Sequence, residues 1–253
     1  MPYDLDQIRN MISGCGHYNG DEVFYFEEID STNTWLLSCS NVHGRVCLAE
    51  RQTAGKGRHG RTWVAPAEGS ILLSLGWDLR GRTPSGLSLA SGIAVAEALM
   101  DCGVDGVSLK WPNDIIVNGN KLGGILVELS NAGCVIGIGV NVNIPKREGS
   151  AIGQPWVDLA SLGYAVAREA IVASLIRNHE RVLLEFDHSG FAPFVDRWNQ
   201  YCMHIDKGVE TVGGVRKTSG KSLGVDGSGA LLVQVGDSVE KIGSGEISLR
   251  VVP

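Results

Sequence analysis

The stretch that decides the fold is VSLKWPNDIIVNGNKLGGILVELSNAGCVIGIGVN, residues 107–141. Short apolar runs rich in β-branched residues alternate in it with turn residues, a pattern typical of paired strands. Asn118-Gly119 separates two of these runs, and this dipeptide favours a tight hairpin turn. The stretch therefore predicts a mostly antiparallel sheet, with strands from Val107 to Lys110, Asp114 to Val117, Leu122 to Leu129 and Cys134 to Asn141.

Periodicities on either side of this stretch predict an α+β protein, a mixed sheet with helices. The predicted helices run from Asp4 to Ser13, from a cap at Ser31-Thr32-Asn33 through Leu37, from Leu87 to Cys102, from Arg168 to Asp187 and from Phe191 to Tyr201. Further strands are predicted from Val23 to Phe26, Val46 to Glu50 and Ser70 to Trp77.

The pattern changes near the C-terminus. From Gly208 onward, short strands are divided by Gly213-Gly214, Asp226-Gly227 and Gly236-Asp237, which predicts a small β-barrel. A boundary near Ile205 then divides the chain into residues 1–205 and 206–253.

Composition excludes several classes of function. The chain has 253 residues and a formal net charge of −6, so no basic field attracts nucleic acid or anionic lipid. Met1 to Asp6 shows no signal-peptide pattern and no apolar run approaches the length of a membrane span, so we expect a cytoplasmic protein. The six cysteines form no C-x-x-C pair and the histidines show no ligand spacing, which predicts reduced thiols and no protein-held metal.

A glycine-rich segment, GKGRHGRTW from Gly55 to Trp63, carries three cations. Glycine allows backbone N–H groups to approach an anion, while Lys56, Arg58 and Arg61 supply positive charge. The segment therefore favours phosphate binding.

Two better-known phosphate motifs overlap the same letters. Gly55, Gly57 and Gly60 match the dinucleotide fingerprint, and the segment nearly matches a Walker A loop. Both motifs need a helix directly afterwards, whereas residues 62–66 are β-like, so neither is favoured. A solvated basic loop is the remaining alternative.

Further clusters accompany this segment in a definite order. They are Ser31-Thr32-Asn33, Glu50-Arg51-Gln52, Lys110-Trp111-Pro112-Asn113-Asp114, Lys121-Leu122-Gly123-Gly124-Ile125-Leu126-Val127-Glu128, Gly137-Ile138-Gly139-Val140-Asn141 and Gly245-Glu246-Ile247-Ser248-Leu249-Arg250. In order and spacing this series resembles the biotin protein ligases, from about Phe24 to the end of the chain. Each motif alone is weak evidence for this family, but the whole series in this order is highly specific for it.

The resemblance implies a class II synthetase-like catalytic domain followed by an SH3-like barrel. It implies that biotin and ATP give biotinyl-5′-adenylate and pyrophosphate, after which biotin passes to one lysine of a carboxylase's biotin carboxyl carrier domain. Mg²⁺ is then expected to bind through the ATP phosphates.

The same resemblance implies four catalytic residues. Lys121 is expected to contact both the biotin carboxylate and the α-phosphate, and Arg58 to screen their repulsion. Lys110 either joins this phosphate clamp or only pairs with Asp114. Asp114 is expected to orient the acceptor lysine or to help remove its proton. The alternatives are an exposed turn lysine at 121 and a turn-capping aspartate at 114.

The positions expected to bind biotin and ATP are Ser31, Thr32, Asn33, Gln52, Gly55, Lys56, Gly57, Arg58, Arg61, Trp63, Asn113, Lys121, Gly123, Gly124, Asn141 and Trp156. The neutral hydrogen-bonding side chains of residues 31–33 and Gln52 suit the neutral ureido ring of biotin. Residues 31–33 are equally typical of a helix N-cap. Trp63 and Trp156 either close over the ligands or pack in the core. Lys56 stands where arginine is common in the family, and Arg250 is expected to reach the nucleotide.

Other readings concern partners and related activities. Family members that repress transcription carry a winged helix domain before the catalytic core. Only about thirty residues precede Ser31, so DNA binding is not expected. A homodimer is left open. Lipoate or octanoate transfer and a non-catalytic adenylate sensor are the alternative functions. Residues 55–66 and 146–156 are predicted to be mobile until ligand binds.

Overall fold

A seven-stranded sheet forms the centre of the computed structural model, which describes residues 2–66, 68–149, 152–212, 217–243 and 248–251. Its strands are β1 (Val23–Ile29), β2 (Val46–Gln52), β3 (Ser70–Trp77), β4 (Val107–Lys110), β5 (Asp114–Val117), β6 (Asn120–Ser130) and β7 (Gly133–Asn141). They lie in the order β1-β2-β3-β7-β6-β5-β4. β1 and β2 are parallel and the other neighbours antiparallel, which confirms the predicted sheet.

The predicted hairpin turn lies between β5 and β6. Asn118 has φ 50° and Gly119 has φ 77°, so both residues adopt the left-handed conformation that a two-residue hairpin of this kind requires. The Asn-Gly pair therefore determines how the two strands that follow Trp111 meet.

Six α-helices of the described residues surround the sheet. They are α1 (Leu5–Met11), α2 (Thr32–Leu37), α3 (Leu87–Asp101), α4 (Lys146–Gly149), α5 (Arg168–Ser189) and α6 (Val195–Tyr201). α3 packs against α5 over the main core, which includes Leu48 and Ile136. The neighbouring strand residues Cys47 and Val135 belong instead to a second cluster with Leu36 of α2. Because strand side chains alternate between faces, α2 lies on the face opposite α3 and α5.

The predicted helix from Phe191 to Tyr201 is divided in the structure. Residues Ala192–Phe194 form a 3₁₀ turn, and α6 begins only at Val195. Pro193 lies in the first turn, where the missing N–H costs nothing.

The C-terminal part forms a separate five-stranded sheet. Its strands are β8 (Gly208–Val212), β9 (Ser219–Val225), β10 (Leu231–Val235), β11 (Ser238–Ile242) and β12 (Ser248–Val251). They are antiparallel, in the order β11-β10-β9-β8-β12, which confirms a C-terminal sheet domain. The predicted turn at Gly213-Gly214 and the motif residues 245–247 lie outside the described residues.

All six cysteines are free thiols, and three of them are buried. Over the described ranges, no helix is both long enough and apolar enough to cross a membrane.

Candidate active site

A cavity of about 110 Å³ opens on the sheet face that carries α2. It gathers residues from the glycine-rich segment and from five of the clusters that accompany it in the sequence. The lining consists of Ser31, Thr32, Asn33, Gln52, Lys56, Gly57, Arg58, Arg61, Thr62, Trp63, Leu72, Leu73, Asn113, Asp114, Lys121, Gly124, Ile125, Leu126, Gly137, Ile138, Gly139 and Gln154. Most of the sequence-predicted site residues therefore meet at one place.

Neutral hydrogen-bonding groups at the start of α2 form one end of this cavity. The Ser31 hydroxyl accepts a hydrogen bond from the Thr34 backbone N–H at 3.4 Å, so Ser31 is the N-cap of α2. The backbone N–H and the hydroxyl of Thr32 donate to Gln52 Oε1 at 2.7 and 3.0 Å. The cap thus also joins α2 to the end of β2.

Ser74 of β3 extends this network beneath the cavity. Its Oγ lies 2.7 Å from Thr32 Oγ1 and 2.6 Å from Asn33 Oδ1. Asn33 Nδ2 donates to Glu128 Oε2 at 2.8 Å and to the Leu126 carbonyl at 3.3 Å. A carboxylate accepts but does not donate, so Glu128 determines which end of the Asn33 amide faces Ser74.

Two glycines of β7 leave room for the side chains that form the cavity. A Cβ at position 137 would lie 2.4 Å from Asn33 Oδ1, and a Cβ at position 139 would lie 2.5 Å from the Trp63 ring. Contacts this short do not occur between real atoms, so Gly137 and Gly139 are needed for Asn33 and Trp63 to take these positions.

The glycine-rich segment is a small hairpin rather than the start of a helix. The Gly57 N–H donates to the Arg61 carbonyl at 2.6 Å, and the Trp63 N–H donates to the Gly55 carbonyl at 2.9 Å. His59 has φ 58° and Gly60 has φ 70° at its tip. The chain continues to Pro66 without a helix, which excludes the dinucleotide fingerprint and the Walker A loop.

Arg58 is the cation of this hairpin that is tied to the sheet. Its Nη1 donates to Asn113 Oδ1 at 3.4 Å, and Asn113 Nδ2 donates to the Ile125 carbonyl at 2.8 Å. Burial, reinforced by repulsion from Arg61, lowers the pKa of the Arg58 guanidinium. Guanidinium remains charged at neutral pH, so the cavity keeps a half-buried positive charge here.

A bulge between β5 and β6 brings Lys121 to Asp114. The register passes from Ile115↔Gly123 to Ile116↔Lys121, so β6 contains one extra residue. Lys121 therefore lies opposite Ile116, on the same sheet face as Asp114. Lys121 Nζ lies 2.6 Å from Asp114 Oδ1, and the two side chains are only 15% and 19% exposed.

A second cavity, of about 310 Å³, adjoins the first. Its lining includes Asn141, Ile152, Gly153 and Trp156, and it shares Arg61, Thr62, Trp63, Lys121 and Gln154 with the first cavity. Lys121 Nζ lies 5.6 Å from the centroid of the Trp63 ring. Trp63 and Lys121 thus form a wall between the two cavities.

Backbone pairing positions the far side of the second cavity. The Lys121 N–H donates to the Pro155 carbonyl at 3.2 Å, and the Val157 N–H donates to the Lys121 carbonyl at 3.0 Å. Asn141 Nδ2 donates to the Val157 carbonyl at 3.1 Å. Trp156 is therefore held beside the strand that carries Lys121.

Comparison with known proteins agrees with this architecture. Residues 25–144 match the model of the Biotin/lipoate A/B protein ligase family, and residues 204–250 match the Biotin protein ligase C terminal domain. The Bifunctional ligase/repressor BirA of Escherichia coli is 38% identical to this chain, over 96% of the chain and 79% of the relative. The chain belongs to the biotin protein ligase family.

Other members of the biotin protein ligase family match over nearly their whole length. The Biotin--[acetyl-CoA-carboxylase] ligase of Mycobacterium tuberculosis is 31% identical, over 97% of this chain and 95% of the relative. The solved structure of the biotin protein ligase from Aquifex aeolicus in complex with biotin and ATP has a TM-score of 0.82. It is 29% identical and covers 91% of this chain and 99% of its own.

Four predicted site residues of this biotin ligase lie outside the lining of both cavities. Within the described residues Lys110 makes no ion pair with Asp114, which pairs with Lys121 instead; burial, with a smaller contribution from the charge of Lys110, lowers the pKa of His204. Gly55 and Gly123 allow neighbouring backbone to pack closely. A Cβ added at position 55 would lie 2.8 Å from the Trp63 carbonyl oxygen, and one at position 123 would lie 2.6 Å from the Gly139 carbonyl oxygen. Arg250 is exposed on β12 and pairs in register with Glu210.

Several site residues were not predicted as such. Gln154 lines the cavity and Ser74 lies beneath it; neither belongs to a local motif, and only the tertiary fold brings them there. Glu128, Gly137 and Gly139 lie inside the motifs named in the sequence analysis, and two glycines two residues apart within one strand are the signal that could have identified Gly137 and Gly139.

The residues present fit a metal that arrives with ATP. Across the described residues, no group of three or more His, Cys, Asp or Glu side chains could hold a metal ion. Asp114, the acidic residue of the lining, is already paired with Lys121. A Mg²⁺ ion would therefore be held by the nucleotide phosphates, whose charge it would neutralise.

Proposed function

We propose that this chain is an ATP-dependent biotin protein ligase that forms biotinyl-5′-adenylate and transfers biotin to a carrier-domain lysine. The observation that carries the proposal is the wall of Trp63 and Lys121 between two adjoining cavities. One cationic side chain can reach a ligand in either cavity, as the joining of two substrates requires.

Biotin would occupy the first cavity. Its ureido ring is neutral and needs neutral donors and acceptors, which Ser31, Thr32 and Gln52 provide. Leu72, Leu126 and Ile138 give apolar walls for the rest of the molecule. The carboxylate end then points toward Lys121, at the boundary with the second cavity.

ATP would occupy the second cavity. Trp156 would offer an aromatic face to the adenine ring, and Arg61 and Lys121, which line both cavities, would contact the phosphates beside the biotin carboxylate. Asn141 is proposed to face the nucleotide. Its amide already holds the Val157 carbonyl, so its main effect would be to position the segment that carries Trp156.

The first step needs positive charge more than it needs a base. A carboxylate oxygen attacks the α-phosphorus and pyrophosphate leaves, so two anions must approach each other. Arg58, Lys56 and Lys121 would reduce this repulsion in a partly closed cavity, where charges interact more strongly than in water. The Asp114 carboxylate keeps Lys121 in place before ligands arrive.

The second step is the attack of a lysine amine on the biotinyl carbonyl, with release of AMP. The amine must lose a proton, and Asp114 is the carboxylate in the lining that can orient it or accept that proton. We expect Asp114→Asn to slow transfer more than adenylation. Equal loss in both steps would contradict this role, because Asp114 would then act only through Lys121.

The carrier domain of a biotin-dependent carboxylase is the proposed acceptor. Relatives named biotin--[acetyl-CoA-carboxylase] ligase support this class of partner. We infer that the reaction takes place in the cytoplasm, because the first residues of the chain show no signal-peptide pattern. We also infer that residues 1–205 form the catalytic unit and residues 206–253 a second unit.

Biotin-dependent ATP–pyrophosphate exchange tests the proposal. The purified chain should exchange label with biotin present and not with lipoate in its place. Exchange with lipoate alone would assign the chain to lipoate ligation, and no exchange with either would favour a binding protein. Adding a carrier domain and following biotin incorporation then tests the transfer step.

A further inference from the structure

His204 lies fully buried between the two sheets. Its Nε2 accepts a hydrogen bond from the Trp111 backbone N–H at 3.2 Å. On the other side, Nδ1 lies 3.0 Å from Ser222 Oγ of β9 and 3.3 Å from Cys202 Sγ. One imidazole ring therefore joins the C-terminal sheet to the end of β4.

These contacts define the state of the ring. Because Nε2 accepts a hydrogen bond, the proton of the neutral imidazole is on Nδ1, where the Ser222 hydroxyl accepts it. Burial, together with Lys110 and Lys207, lowers the pKa of His204 to about 4. The ring is thus neutral at physiological pH and correctly oriented for both partners.

Trp111 is held a second time by the C-terminal sheet. Its indole Nε1 donates to the Gly229 carbonyl at 3.2 Å, in the turn between β9 and β10. The next residue, Pro112, accepts a hydrogen bond from Ser88 Oγ of α3 at 3.2 Å. The chain entering the active site is therefore fixed by His204, Gly229 and Ser88.

The residues that follow carry side chains of the proposed catalytic site. Asn113 accepts the hydrogen bond from Arg58, and Asp114 forms the ion pair with Lys121. Only Pro112 lies between Trp111, whose backbone N–H is held by His204, and Asn113, so a shift at Trp111 should pass through Asn113 to Arg58 and through Asp114 to Lys121.

We propose that His204 is a positioning residue, through which the C-terminal sheet sets the placement of Asn113 and Asp114 at the active site. This inference rests on the proposed ligase function. It gives the C-terminal sheet a role in the chemistry of the first cavity, although none of the described residues of that sheet lines this cavity. The biotin-binding groups on α2 and β2 lie outside this connection.

Two substitutions separate positioning from simple packing. His204→Gln keeps a neutral acceptor for the Trp111 N–H, whereas His204→Phe keeps an aromatic ring, slightly larger than imidazole, and removes both nitrogens. A matched control is His179→Phe on α5. His179 is equally buried, its Nδ1 contacts the Leu175 carbonyl at 2.8 Å, and it lines neither cavity.

The expected result is a selective loss in His204→Phe. Its kcat for biotin-dependent pyrophosphate exchange should fall by about 10-fold to 100-fold, because misplacement of about 1 Å has effects of this size. The KM for biotin should change by less than about twofold. His204→Gln should recover most of the kcat, and His179→Phe should keep the wild-type value.

Hydrogen–deuterium exchange at the Trp111 amide gives a direct readout. The amide should be protected in the wild type and in His204→Gln, and should exchange rapidly in His204→Phe. If His204→Phe fails to fold, Ser222→Ala replaces it, since it removes the acceptor that orients the ring. The same selective loss of kcat is then expected.

These experiments distinguish failure of the ligase assignment from failure of the positioning role of His204. A wild-type protein without biotin-dependent exchange overturns the ligase assignment, whatever the variants do. A wild-type protein with normal exchange, and a folded His204→Phe or Ser222→Ala variant with the same kcat, overturns the positioning role. Equal loss in His204→Phe and His179→Phe also overturns it, because any buried histidine would then suffice.

Discussion

Gly137→Ala should damage the biotin end of the cavity by displacing Asn33. The new Cβ would lie 2.4 Å from Asn33 Oδ1 and 3.0 Å from its Cγ and Nδ2. Ordinary contact begins at 3.4 Å, so the Asn33 side chain has to move by roughly 1 Å (3.4 − 2.4). Its partners Ser74 and Glu128, at 2.6 and 2.8 Å, belong to opposite ends of the amide and cannot both follow.

The hydrogen bonds set the size of the effect. A neutral bond such as that from Ser74 contributes about 1 kcal/mol, and a bond to a charged group such as Glu128 about 1.5–3 kcal/mol. Loss of both lowers the free energy of unfolding by roughly 2.5–4 kcal/mol. For a protein of this size the Tm should fall by about 5–15 °C. Displacement by about 1 Å should reduce kcat/KM for biotin about 100-fold.

Thermal unfolding and biotin-dependent exchange measure the two effects, with Gly14→Ala as control because a Cβ there meets nothing within 4 Å. Asn33→Ala supplies the decisive comparison. Removing the amide also removes the clash, so Gly137→Ala should cost nothing further in that background. If the two substitutions are additive, the reasoning from the Asn33 contact is refuted.

Three further outcomes are expected. Lys121→Met should reduce biotin-dependent exchange by about 10²–10³-fold, the usual cost of one transition-state donor, and a loss below about tenfold would remove Lys121 from the reacting centre. The pKa values of His179 and His204 are lowered to about 4 by burial, below the ordinary 6.5. As the pH falls from about 6.5 to 4, the unfolded state binds protons first, so stability is lost by roughly 3 kcal/mol per histidine. His179→Phe should flatten this dependence in urea titrations, and an unchanged slope would contradict the assignment. Trypsin cleavage after Lys56, Arg58 and Arg61 should slow when biotin and ATP are added, and equal sensitivity would count against ordering of the loop.

The sheet was predictable because its signals are local. The β-branched runs and the Asn118-Gly119 turn act over a few residues, and the structure has the strands where these patterns predict them. A mixed sheet was predicted but not which strands are parallel; the parallel pair is β1 and β2, which are joined through the helix α2. The division of the helix near Pro193 was also missed, because periodicity alone does not distinguish a 3₁₀ turn from a helix.

The sequence predicted most of the residues that line the candidate site but not the contacts between them. Arg58, Asp114 and Lys121 do meet at one cavity. Asp114 pairs with Lys121 rather than with Lys110, which is closer in the sequence. The reason is the bulge in β6, which places the Lys121 side chain on the same sheet face as Asp114. A register shift of this kind depends on strand pairing and has no signature in either strand alone.

The wall of Trp63 and Lys121 makes the affinities of the two substrates interdependent. Both side chains line both cavities, so if biotin and ATP bind as proposed, any movement that biotin imposes on these side chains changes the surface offered to ATP. Thermodynamic linkage then requires reciprocity: the factor by which biotin strengthens ATP binding equals the factor by which ATP strengthens biotin binding. The order in which the substrates arrive can therefore be governed by rates, while the coupling free energy is a single property of this wall.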